Sequence, residues 1–149
     1  MAGQNVRTRL RALGGFTADE FFVAAVDLSV SGVGRWVSPG SVAGEVILAT
    51  GASNPIPWGV LQNSPTAGKP ARVRMFGRST VTACPGACWL KPGTLITSGS
   101  IGEITPGVGG ACIVTLGRWL TASTAASSTT GEAFLNSLGW FSTSPVSAS

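Results

Sequence analysis

The sequence predicts an all-β fold: one small sandwich- or barrel-like domain between a flexible N-terminal arm and a polar C-terminal tail. Three observations predict it. First, residues 71–82 alternate with period two. Ala71, Val73, Met75, Gly77, Ser79 and Val81 fall on one face, and Arg72, Arg74, Phe76, Arg78, Thr80 and Thr82 on the other. Successive side chains of an extended strand point to opposite sides of a sheet, so the small and apolar face packs on a core while the arginine face is wet or meets a partner. Second, 21 Gly and 9 Pro, with abundant Ser, Thr and Val, suit strands broken by turns, and runs of helix formers are scarce. Third, turn signals recur about every ten residues, the rhythm of short strands in a sandwich or barrel. At 149 residues the chain fits one domain with a sizeable core.

In chain order, residues 1–15 are polar and basic and end in Gly14 and Gly15, which reads as an arm that orders on docking. Thr17 to Glu20 matches a capping box that would start a short helix. Against it, Phe22, Ala24, Val26, Leu28 and Val30 alternate with Asp27 and Ser29, so a strand over 21–30 is the expectation. Gly32, Gly34 and Gly40 are turn chemistry, since no Gly-Lys-Ser/Thr follows to make a phosphate loop. Short strands are expected over 44–49, 71–82, 94–97, around 101–104, over 111–116 with a continuation through 117–120 past a bulge, and over 131–135, while residues 58–61 lead into the central block. Residues 121–130 are a low-complexity loop. The domain spans 16–141, and 142–149 form the tail.

Only 11% of residues are charged while 44% are hydrophobic, a balance that predicts surface hidden against other protein. The net charge of +4 is unevenly placed: no acidic residue lies between Glu45 and Glu103, where Lys69, Arg72, Arg74, Arg78 and Lys91 all sit. Arg7, Arg9 and Arg11 form a second cluster in the arm. Cys84, Cys88 and Cys112 are an odd set with no histidine to complete a zinc site, and read as buried thiols in a reducing compartment. Residues 1–15 lack the apolar stretch of a signal peptide, and no apolar run is long enough to span a bilayer. With no histidine and no tyrosine, and no spaced carboxylate pair, catalysis is not expected. Neither a cofactor nor a small-molecule substrate is implied.

The succession Trp58-Gly59-Val60-Leu61-Gln62-Asn63-Ser64-Pro65-Thr66-Ala67-Gly68, then Ala71-Arg72-Val73 and Gly77-Arg78-Ser79-Thr80-Val81, resembles the small head decoration (capsid cement) proteins of tailed bacteriophages. Pro92-Gly93-Thr94-Leu95-Ile96-Thr97, Gly117-Arg118-Trp119-Leu120 and Gly131-Glu132-Ala133-Phe134-Leu135 are similar to later steps of the same pattern, so the resemblance runs over about residues 22–138. It implies a β-rich structural protein, often trimeric, made in the host cytoplasm and placed on the outer surface of the virion head. There it would cement and stabilise neighbouring major capsid subunits. Particular to this chain are the basic arm, the arginine-rich strand, the CPGAC segment and the tryptophans near the C-terminus.

The expected interface residues are Arg7, Arg9, Arg11, Arg72, Arg74, Phe76 and Arg78. Three like charges on one strand face are either solvated or matched by carboxylates of another subunit, and the reading here is the second, with the major capsid protein or a second copy as the acidic partner. Two alternatives remain. One is a single-strand nucleic-acid binder on an OB-like barrel, with Arg72, Arg74, Arg78 and Phe76 as a platform and Trp58, Trp89 and Trp119 adding stacking surface. The bland account of those tryptophans is that they fill the core or a subunit interface. The other alternative is a tail or fibre component.

Overall fold

A computed structural model describes residues 17–30, 32–50, 57–83, 90–98, 102–106, 114–115, 117–121, 130–136 and 141–142. Within them the protein is all-β. Eleven strands run in chain order: β1 Ala18–Ala24, β2 Trp36–Pro39, β3 Glu45–Leu48, β4 Gly59–Leu61, β5 Pro70–Thr82, β6 Leu95–Ser98, β7 Ile104–Pro106, β8 Val114–Thr115, β9 Gly117–Trp119, β10 Thr130–Asn136 and β11 Phe141–Ser142.

The first five strands close a ring. β1 pairs in parallel with β3 and antiparallel with β5, while β3–β2, β2–β4 and β4–β5 are all antiparallel. Following the neighbours from β1 through β3, β2, β4 and β5 therefore leads back to β1, a small barrel. β5 is thirteen residues long and outruns it. Its first half pairs with β1 and β4, and from Phe76 onward it pairs with β10, the handover falling where Phe76 faces both Ala18 and Asn136. From β10 the sheet continues through β9 and β6 to β7. β8 and β11 make a separate two-stranded pair.

Alternation explains where the core sits. One apolar cluster fills the barrel with Ala24, Leu28, Val37, Val46, Leu61, Ala71 and Val73, and Phe22, Leu48, Trp58 and Met75 pack against it. A second holds Trp36, Ala49, Val60, Val81, Ala83, Leu90, Ile96, Trp119, Ala133 and Leu135. Neighbouring residues of β2 and of β4 are divided between the two: Trp36 and Val60 go to the second cluster, Val37 and Leu61 to the barrel. Side chains of adjacent strand residues point to opposite faces, so β2 and β4 are a wall shared by both cores.

The loop before β5 is built to start that strand. Asn63 acts like an extra rung: its Nδ2 donates to the Pro70 carbonyl (2.9 Å) and its Oδ1 accepts from the Arg72 N–H (2.9 Å). Gln62 Nε2 donates to Ser79 Oγ (2.8 Å), tying the same loop to the far half of β5. Gly34, at φ 79°, takes a conformation disfavoured for other residues. Its carbonyl accepts from the Thr82 N–H.

Several expectations are refined. The alternation of 71–82 is observed as β5, with Ala71, Val73 and Val81 fully buried. The first strand is not 21–30 but Ala18–Ala24. It begins inside the capping-box match, and Asp27 Oδ1 accepts from the Ser29 N–H in a turn that ends the extended run. β2 was not foreseen, because a strand covered on both faces shows no alternation. The stretch 111–120 does not run on as one strand: β8 joins β11, and β9 joins the main sheet. The expected polar tail loses Ser142 to β11. The arm, the three cysteines, Trp89 and the loop 122–129 lie outside the described residues.

Where β4 crosses β5 the backbones approach too closely for a side chain. A Cβ on Gly59 would press against the Arg74 carbonyl oxygen and lie 2.7 Å from Val73 Cγ1 and 2.9 Å from the Arg74 carbonyl carbon. Backbone atoms cannot rotate away. Gly59→Ala is therefore expected to cost about 1–3 kcal/mol. In a thermal melt this lowers the midpoint by roughly 3–10 °C, and an unchanged midpoint would refute the close contact.

Candidate functional site

Residues directly opposite in an antiparallel pair point to the same side of the sheet, so strand register assembles one outward face. On β1, Asp19, Phe21 and Val23 stand opposite Arg74, Arg72 and Pro70. On β10, Thr130, Glu132, Phe134 and Asn136 stand opposite Thr82, Thr80, Arg78 and Phe76. On β9, Arg118 stands opposite Phe134. Arg72, Arg74, Phe76 and Arg78 thus share a face, as the alternation requires, and the Phe76 and Phe134 rings meet edge-on at 5.2 Å.

Two of the charges on this face, Arg74 and Arg78, are matched from within the chain, where carboxylates of another subunit were expected. Arg74 makes a two-pronged contact with Asp19, Nε donating to Oδ1 at 2.7 Å and Nη2 to Oδ2 at 3.0 Å. Its Nη1 also donates to the Arg78 carbonyl at 2.9 Å. Arg72 Nε lies 3.6 Å from Asp19 Oδ2, and Arg78 Nη2 donates to Glu132 Oε2 at 2.6 Å. The reason is topological. Asp19 is 55 residues from Arg74 and Glu132 is 54 from Arg78 along the chain, and only the pairing of β1 and β10 with β5 brings them together.

These pairs are unequal. Arg74 and Asp19 are each about four-fifths covered (19% and 21% exposed), whereas Arg78 and Glu132 are more than half exposed. An exposed pair is worth only about 0–1 kcal/mol. A forked, partly desolvated one is stronger. The hydrogen bond from Arg74 is the main cause that holds the Asp19 carboxyl below its ordinary value, its charge and that of Arg72 adding to it while partial burial opposes.

Large apolar side chains share this face. Phe21 is 69% exposed, and Val23, Leu120 and Phe134 are also well exposed. Arginine and aromatic side chains in solvent are what protein interfaces concentrate. Sequence reading missed Asp19, Phe21, Arg118, Glu132 and Phe134. The available signal was in β1 itself, where Phe21 and Val23 alternate opposite to Phe22 and Ala24, so bulky groups occupy both faces. Arg7, Arg9 and Arg11 lie outside the described residues. Of the tryptophans once set beside this face, Trp58 is half-buried against Phe22 (5.0 Å) and Trp119 is wholly buried. Elsewhere, a polar hollow of about 280 Å³ is lined by Ser29, Arg35, Ser64 and Thr82, and its arginine lies 3.5 Å from Glu103.

The fold, a closed ring of strands extended by one long member, is similar to that of a known structural protein. The N base of the head fiber gp8.5 of bacteriophage phi29 superposes with a TM-score of 0.58 over 82% of this chain and 96% of that one, at 14% sequence identity. At that identity the likeness is one of fold. No protein-family model and no curated protein matches the sequence.

Because the native Asp19 carboxyl titrates below the ordinary 3.8, its stabilisation is complete above that value and is lost as pH falls through the lower, native one. Asp19→Asn is expected to cost about 1–3 kcal/mol at neutral pH. The gap in melting temperature between the two proteins should narrow as pH drops below the ordinary carboxylate range. A gap that stays constant with pH would show that the carboxylate charge is not what stabilises.

Proposed function

We propose that this chain is a structural protein of a phage head, held on the outer surface of the shell, where it acts as a decoration protein that cements neighbouring major capsid subunits. The observation that carries the reading is the likeness to the phi29 head fiber N base, which spans nearly all of that chain. The sequence resemblance to head decoration proteins, over about residues 22–138, supports the same location. The role is structural and not catalytic, in keeping with a chain that has neither histidine nor tyrosine. It works as a trimer, and its basic arm, residues 1–15, adds to the attachment.

A second reading, favoured by the same likeness, makes the domain the seat of a fibre rather than a cement. A nucleic-acid platform on β5 is supported less, because Arg74 and Arg78 already hold carboxylates and Trp119 has no exposed ring to stack.

Expanded heads assembled without the protein decide among these readings. The purified chain should co-sediment with them and raise the temperature at which they rupture, and deleting residues 1–15 should weaken co-sedimentation. Binding without a gain in head stability would favour the fibre seat, and failure to bind would remove the head reading. Sedimentation equilibrium at micromolar concentration should return three times the chain mass. A monomer both free and on the head would exclude the trimer.

A further inference from the structure

Asp19 is shared by two arginines while Glu132 serves one, so among the described residues the outward face of β1, β5, β10 and β9 carries four arginines against two carboxylates. The two surplus charges can be located. Arg72 is 45% exposed and only 3.6 Å from the carboxylate that Arg74 already grips. Arg118 is exposed on β9 and meets no carboxylate among the described residues. Each of these arginines has an exposed phenylalanine directly opposite it on the neighbouring strand: Phe21 across from Arg72, and Phe134 across from Arg118. The same motif, one cation without a carboxylate of its own beside one exposed ring, thus occurs twice on the face. Arg74–Asp19 and Arg78–Glu132 are paired off. The run along β5 from Arg72 to Arg78 covers about 20 Å at roughly 3.4 Å per residue.

We infer that Arg72 with Phe21, and Arg118 with Phe134, are two anchor points that dock this face on an acidic protein surface bearing apolar groups beside its carboxylates. Charge complementarity selects this occupant. A second copy presenting the same face would set surplus positive charge against surplus positive charge. A phosphate backbone would use the cations and leave Val23 and Leu120, both aliphatic and well exposed, without a partner. Arg74 and Arg78 belong to the fold on this account, and the surplus pair belongs to the partner. The inference deepens the head-protein reading by naming the face and its partner's chemistry, and its first test does not need the head.

The test uses the full chain and two polymers, poly-L-glutamate and a random glutamate–tyrosine copolymer, with oligothymidylate as a third probe. The wild type should bind the copolymer more tightly than polyglutamate. Arg72→Glu and Arg118→Glu should each weaken copolymer binding roughly tenfold. Lys91→Glu, an equal charge change at an exposed site outside β1, β5, β9 and β10, should weaken it by no more than about twofold. The double variant F21S/F134S should bring copolymer binding down to the polyglutamate level. Should a reversal impair folding, seen as an early melt, Arg72→Gln and Arg118→Gln replace it and should show a smaller loss in the same direction. Reversals no worse than Lys91→Glu overturn the inference, as does a wild type that prefers oligothymidylate to the copolymer. The same variants on heads separate the two readings. A wild type that fails on heads while the polymer results hold removes the head reading alone. A wild type that binds heads equally well with both arginines reversed removes this one alone.

Discussion

Everything in this fold hangs on the length of one strand. β5 belongs to the barrel at its start and to the open sheet at its end, and at Phe76 it passes from β1 to β10 without breaking. A shorter strand would leave two small sheets, each with edges to cover. Because β5 serves both, its inward residues divide between the two apolar clusters, Ala71 and Val73 in the barrel and Val81 in the second. Its outward residues, carried along by the same pleat, make one continuous surface.

That surface was half legible in the sequence. The alternation of residues 71–82 is a property of one segment, so it survives without tertiary information, and it placed Arg72, Arg74, Phe76 and Arg78 together. The acids that answer the arginines were invisible because they arrive by register: Asp19 sits opposite Arg74 only if β1 pairs as it does. β2 was missed for a related reason. Trp36, Val37 and Ser38 are all buried, so the period-two signal that marks a half-buried strand is absent there. The Trp58 to Gly68 block is legible as a motif, and its work is local: Asn63 rungs onto the start of β5 and Gln62 reaches Ser79.

The electrostatics of the face follow a simple division. Carboxylates supplied by the fold neutralise the arginines nearest the strand handover, where a bare charge beside packed rings would be costly. Those farther out are left short. A row of cations that looks uniform in the sequence thereby becomes a patterned surface, neutral around Arg74 and Arg78 and positive at Arg72 and Arg118, and such patterning bears on partner choice and register more than on raw affinity.

The wall formed by β2 and β4 has a consequence for how the chain reaches this state. Neither core can form alone, since Val37 and Leu61 are held in place from behind by the cluster that contains Trp36 and Val60. Both hydrophobic interiors should appear and vanish together, in one cooperative transition. The contacts that complete them, β1 on β5 and β10 on β5, join segments about fifty residues apart, and loop-closure entropy must be overcome before such contacts are rewarded. Folding should therefore be slow for a chain of this size, and until β5 is paired on both sides its edges stay open to strands of neighbouring chains.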